Sequence, residues 1–90
     1  MSRIHSIRRL IQYGLYYFTS HSLESLDEDG LTEIDAEEAI LNGRIRRSWP
    51  KEHKYEITGM SSDGTPIGVV SRITATNKLR IITAYEDKKK

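Results

Sequence analysis

Three groups of side chains in this 90-residue sequence could carry chemistry. The first is His21, which follows Thr19 and Ser20, either of which can cap a short helix carrying His21, Leu23, Glu24 and Leu26. Backbone N–H groups point outward at such a start, so an anion can sit there beside an imidazole able to act as acid or base. The same position also suits a capping or half-buried structural histidine. His5, in a basic stretch, and His53, between Glu52 and Lys54, read as surface residues. The second group is Thr83 and Tyr85, two hydroxyls spaced two apart on the strand-like run KLRIITAY (78–85). A rigid strand can hold such groups accurately, although Thr and Tyr are also ordinary strand formers. The third group is a set of arginines and lysines in the second half.

Several reaction classes drop out. His21 and Glu24 can share one helical face, but no third metal ligand is signalled by spacing, and there is neither an HExxH motif nor a cysteine. No metal site and no cofactor is expected. Gly59, Gly64 and Gly68 fall at hairpin positions rather than in a phosphate-binding loop, and no serine-hydrolase elbow is present. Metal-free chemistry on an anionic substrate remains. RNA cleavage can run that way, because the 2′-hydroxyl of RNA is its own nucleophile and the protein need supply only a base, an acid and cations.

The charge distribution points in the same direction. The formal net charge is +1, but Glu24 to Glu38 holds eight acids and no base, whereas Ala39 to Tyr85 holds eight bases against three acids. Arg44, Arg46, Lys54, Arg72 and Arg80 are therefore candidates to bind a nucleic acid, and the acidic middle could meet a basic partner; both could equally be solvated faces. A chain of this length makes one small domain, burying about 60–65% of its unfolded surface. The amino-terminal stretch has no uninterrupted apolar core, and nothing approaches a membrane span. With no cysteine, these features lead us to expect a cytoplasmic protein with no membrane contact.

These residues must be positioned by the elements around them. Apolar spacing predicts a helix from Ser2 to Tyr13 ended by Gly14, with Tyr13, Tyr16, Tyr17 and Phe18 as a lid on the core. A second helix starts at His21 and stops at the acidic turn 27–30. Thr32, with Asp35 three residues on, caps a third that Asn42-Gly43 ends. The period then changes to two. Strands are expected over 44–49, 53–60, 67–74 and 78–85, with a turn at Asp63-Gly64 and another at Thr76-Asn77. The fold class is thus α+β, with N-terminal helices packed on one face of a four-stranded antiparallel sheet. Residues 1–90 form one domain, with a charged tail from 85 to 90. Strict alternation in the last strand puts Leu79, Ile81, Thr83 and Tyr85 on one side and Arg80, Ile82 and Ala84 on the other, so only a bulge would bring Arg80 to the side of Tyr85.

The sequence also resembles a known family. Thr19-x-His21-Ser22 with Glu24 and Leu26, Gly30-Leu31-Thr32, Glu38-Ala39-Ile40, Asn42-Gly43, Tyr55, Gly59, Pro66-Ile67, Val69-Val70 and Ile81-Ile82-Thr83-Ala84-Tyr85 are similar to the small prokaryotic family catalogued as domain of unknown function 4258. The resemblance implies a RelE-like ribonuclease fold, related to barnase and the colicin-type RNases. It further implies the toxin half of a toxin–antitoxin pair, with RNA as substrate and an antitoxin as partner, the family often being encoded beside a YgiT-type zinc-finger antitoxin. The family's histidine maps onto His21, and its terminal Thr and Tyr map onto Thr83 and Tyr85.

The expected activity is then a metal-independent endoribonuclease. His21 would be acid or base, Thr83 and Tyr85 would orient the scissile group, and the five basic residues would hold phosphates. Three positions depart from the family pattern. Ser25 and Asp29 stand where it commonly has arginine, and Gly68 stands where it often has histidine. Those losses support an alternative, a degenerate member that binds protein or nucleic acid without cutting.

Overall fold

The computed structural model describes residues 3–88. Ser2, expected to start the first helix, and the last two lysines of the tail lie outside them. The order is α1 (Arg3–Gln12), β1 (Tyr16–Phe18), α2 (Ser20–Glu28), α3 (Glu33–Asn42), β2 (Arg44–Trp49), β3 (Lys54–Met60), β4 (Pro66–Ile73) and β5 (Leu79–Glu86).

The α+β class holds, but the sheet differs from the expected four antiparallel strands. It has five, in the order β1-β5-β4-β3-β2, and β1 runs parallel to β5. Tyr16, Tyr17 and Phe18, expected as a lid on the core, form the added strand and pair with Leu79, Arg80 and Ile81. Tyr16 and Phe18 pack on the core edge to face, ring centroids 6.2 Å apart, while Tyr13 and Tyr17 are exposed. Three residues give too short an alternation to separate a strand from an aromatic cluster. What makes it a strand is the sheet edge offered by β5.

The helices cover one sheet face. Ile7, Leu10 and Ile11 of α1, Leu26 of α2, and Ala36, Ala39 and Ile40 of α3 meet Tyr55, Ile57, Ile67, Val69, Leu79, Ile81 and Ala84. Helix α3 lies so close to β3 that a Cβ on Gly59 would overlap the Ala39 carbonyl. The small residues at 39 and 59 are what allow that approach. Thr32 caps α3 in a reciprocal box, its hydroxyl accepting from Asp35 N and Asp35 Oδ2 accepting from Thr32 N. No helix is long and apolar enough to cross a membrane among the described residues.

Candidate functional site

The face of the sheet away from the helices is shaped by two bulges. On β2, Ile45 pairs with Ile57 and Arg47 with Glu56, which leaves Arg46 as the extra residue. On β5, Ser71 pairs with Ile81 and Val70 with Thr83, leaving Ile82 extra. This second bulge overturns the strict alternation expected of the last strand. Leu79, Ile81 and Ala84 turn inward and are buried, while Arg80, Thr83 and Tyr85 come to the open face together. Thr19 fixes the irregularity from the neighbouring edge. Its N–H donates to Ile81 O at 3.1 Å and its hydroxyl donates to Ile82 O at 3.1 Å, so one residue satisfies two successive carbonyls. The same hydroxyl accepts from Ser22 N and is the N-cap of α2.

At one end of the open face is a closed polar cluster. The Tyr85 ring lies across Gly68, its cross-strand partner, where any Cβ would overlap it. From there the hydroxyl donates to Glu56 Oε2 in a short hydrogen bond. Arg46 Nη2 donates to Tyr85 Oη at 2.8 Å and to Glu56 Oε2 at 3.2 Å, while its Nη1 meets Asp87 Oδ2 at 2.7 Å. Thr58 Oγ1 also donates to Asp87, at 3.2 Å, and Arg47 Nε stands 3.5 Å from Glu56 Oε1. An open depression of about 670 Å³ adjoins the cluster, with Arg44, Thr58 and Asp87 in its wall.

The electrostatics follow from this geometry. Burial first, and then the hydrogen bond to Glu56, push the Tyr85 phenol up to about 12. Glu56 is held below the usual carboxylate range by the Tyr85 hydroxyl first and then by Arg46, against the opposing effect of burial. Arg46 is held charged even more firmly than usual by Asp87 and Glu56. The proton between Tyr85 and Glu56 therefore rests on the phenol.

The other expected residues fall around this cluster. Lys54, Arg72 and Arg80 form a continuous cross-strand row, Lys54 paired with Arg72 and Arg72 with Arg80. Arg44 pairs with Thr58 at the opposite end. Thr83 Oγ1 reaches Ser25 Oγ on α2 at 3.4 Å. His21 is exposed, one turn before Ser25 on the same helical face, and no hydrogen bond or ion pair links it to the cluster among the described residues. Asp29, one turn after Ser25, accepts from Glu86 N at 2.8 Å. The two departures from the family's arginines thus both face β5, and Gly68 lies under Tyr85. Among the described residues no group of three or more His, Asp or Glu is placed to hold a metal ion.

A family model, that of a domain of unknown function (DUF4258), matches residues 18–86. The chain belongs to the DUF4258 family. The match begins at the end of β1 and closes with β5, so both strands that flank the bulge at Ile82 lie within or at the border of this DUF4258 domain. Among curated proteins none matches the chain.

Glu56 and Asp87 are the site residues that sequence reasoning missed. A signal existed for Glu56, one of only three acids between Ala39 and Tyr85, in phase with Lys54 and Thr58 on the outward side of its strand. Asp87 gave none, because it reads as part of a charged tail.

Proposed function

We propose that this chain is a metal-independent endoribonuclease of toxin type, with a RelE-like ribonuclease fold, acting in the cytoplasm on RNA and restrained by a cognate antitoxin. The observation that carries this reading is the bulge at Ile82, which gathers Arg80, Thr83 and Tyr85 on one face with Glu56 and Arg46. The cluster holds a carboxylate kept ionised, a phenol kept protonated and a guanidinium between them, the set that transfer through a 2′-hydroxyl needs.

In this scheme a phosphate of bound RNA takes Arg46 from Asp87 and Glu56. Losing that cation lets the Glu56 carboxylate rise toward its ordinary basicity. Glu56 then takes the proton of the 2′-hydroxyl, whose oxygen attacks phosphorus while the bond to the 5′-oxygen breaks. Tyr85 gives its proton to the leaving oxygen. The products are a 2′,3′-cyclic phosphate and a 5′-hydroxyl end, and the proton on Glu56 returns to the phenolate through the hydrogen bond joining them. Thr83 borders the scissile group, and Arg44, Lys54, Arg72 and Arg80 hold flanking phosphates. His21, at the rim beside Ser25, supplies a further acid or base if the RNA reaches it.

The test is incubation of the purified protein with total RNA in EDTA, beside Tyr85→Phe, Glu56→Gln and His21→Ala, with new 5′ ends mapped. Cleavage lost in the first two variants supports this scheme. Cleavage lost only in His21→Ala moves the chemistry to α2, and intact RNA with folded wild-type protein overturns the reading.

One observation favours a second reading, a degenerate member that binds without cutting. Every charge of the cluster is already answered within it, while Ser25 and Asp29 are engaged with β5 where the family pattern has arginines.

A further inference from the structure

The row Lys54–Arg72–Arg80 extends at both ends into an aromatic residue. Trp49 pairs with Lys54 across β2 and β3, and Tyr17 pairs with Arg80 across β1 and β5. All five strands therefore contribute one residue each to a line Trp49, Lys54, Arg72, Arg80, Tyr17. The buried side chains Tyr55, Ser71 and Ile81 are the next residues of β3, β4 and β5, so the line lies on the open face. Adjacent strands are about 4.8 Å apart, which gives the line a length of about 19 Å.

Such an arrangement works against stability. Like charges placed directly opposite repel, and here two such pairs adjoin. No carboxylate stands within the line. Glu52, from the turn before β3, approaches Lys54 at 3.6 Å, and Glu56 is drawn away toward Arg46 and Tyr85. Arg72 and Arg80 make no ion pair among the described residues. At the ends, Tyr17 is 44% exposed, and the Lys54 ammonium rests 4.9 Å from the centroid of the half-buried Trp49 ring. A phosphate drawing Lys54 off that ring would bare it to a base.

We infer that this line is a track for single-stranded RNA, which crosses the sheet perpendicular to the strands. Successive phosphates lie on Lys54, Arg72 and Arg80, and bases stack on Trp49 and Tyr17. A regular duplex keeps its bases paired inside and cannot offer them to two rings, whereas an unpaired segment can. The track passes beside the Tyr85 cluster and shares no residue with it; its three cations are among those that hold flanking phosphates in the proposed scheme. It rests on the RNA-binding part of the proposed function and not on cleavage.

Trp49 is the sole tryptophan, so its emission reports on one end of the track. The experiment titrates the protein with hexauridylate, following Trp49 fluorescence and, with a labelled strand, anisotropy over a salt series. Saturable quenching is expected. The log–log salt slope should be about −2, three contacts at about −0.7 each for a single strand. Arg72→Ser and Arg80→Ser should each flatten that slope by about 0.7 while leaving urea stability equal or raised, because each removes a like-charge neighbour. Tyr17→Leu should weaken binding about tenfold with the slope unchanged.

Binding without any change at Trp49, binding indifferent to Arg72→Ser and Arg80→Ser, or equal binding of a hexaglutamate peptide would overturn the track. The two proposals fail separately. Hexauridylate bound in the expected way but RNA never cut sinks the ribonuclease reading alone. RNA cut at unchanged KM by Arg72→Ser and Arg80→Ser together sinks the track, and with it the flanking-phosphate role of these two arginines, but leaves the chemistry at Tyr85 and Glu56 standing.

Discussion

Tyr85 and Gly68 are a directly paired couple in which the ring of one occupies the space a side chain on the other would need. The glycine is there for space and not for backbone freedom, and the ring in turn covers the strand weakness a glycine creates. Gly68→Ala should therefore push the ring off its bond to Glu56 and cost about 1–3 kcal/mol, as overpacking does. In a Tyr85→Ala background the same substitution should be neutral or stabilising, since only the conformational cost of glycine is then removed. Urea unfolding of the four proteins measures this. An equal cost in both backgrounds would mean that the ring does not determine residue 68.

Tyr85→Phe keeps the ring over Gly68 and removes only the hydroxyl shared by Glu56 and Arg46. The half-buried carboxylate loses its shortest partner, so stability should fall by about 1–2 kcal/mol. If Tyr85 is the acid of RNA cleavage, the rate should fall by about a hundredfold or more with KM little changed. Paired unfolding and cleavage assays separate a structural hydroxyl from a reacting one.

The pH dependence follows from the directions at Glu56 and Tyr85. Glu56 is held below its ordinary value of 4.5 in the folded chain. Its contribution to stability is therefore full above that value and is lost as pH falls through the folded value. Tyr85 runs the other way, from 10.0 up to about 12, so its contribution is full below 10.0 and fades as pH rises toward about 12. Wild type should lose stability on both limbs. Glu56→Gln should flatten the acid limb and, by removing the phenol's anionic partner, part of the alkaline one. Urea midpoints from pH 3 to 11 test both.

The helices and the meander were legible in the sequence because each carried its own local signal, such as Thr32 with Asp35 at the start of α3, or Asp63-Gly64 between β3 and β4. The parallel strand β1 and the bulge at Ile82 carried none. Both depend on contacts between residues more than sixty positions apart, Thr19 with Ile81 and Ile82 above all. Glu56, Arg46 and Tyr85 likewise converge only once the register is set. Residue types pointed to anionic chemistry, but only the register gathers Arg80, Thr83 and Tyr85 on one side.

Thr19 provides a direct test of that register. Its hydroxyl caps α2 and holds the Ile82 carbonyl at the same time. Thr19→Val should cost about 1–2 kcal/mol through the cap and also loosen the bulge. Hydrogen exchange at Thr83 and Tyr85 should then quicken more than at Ile57 in β3, while Thr19→Ser keeps both bonds and stays near wild type. Uniform quickening across the sheet would reduce the role of Thr19 to helix capping.

If Arg46 binds an RNA phosphate as proposed, Asp87 occupies the place of that phosphate, since its carboxylate already accepts from the guanidinium and from Thr58. Asp87→Asn removes that competing charge, leaves an amide oxygen able to accept from Thr58, and makes the open face more positive by one. RNA affinity should rise severalfold at low salt, and the advantage should shrink as salt increases. Stability should change little, because the lost pair with Arg46 is partly solvated and exchanged for a neutral hydrogen bond. A labelled hexauridylate titration at two salt concentrations decides the matter. Unchanged or weaker binding would show that Asp87 holds Arg46 in its working position instead of competing with the ligand.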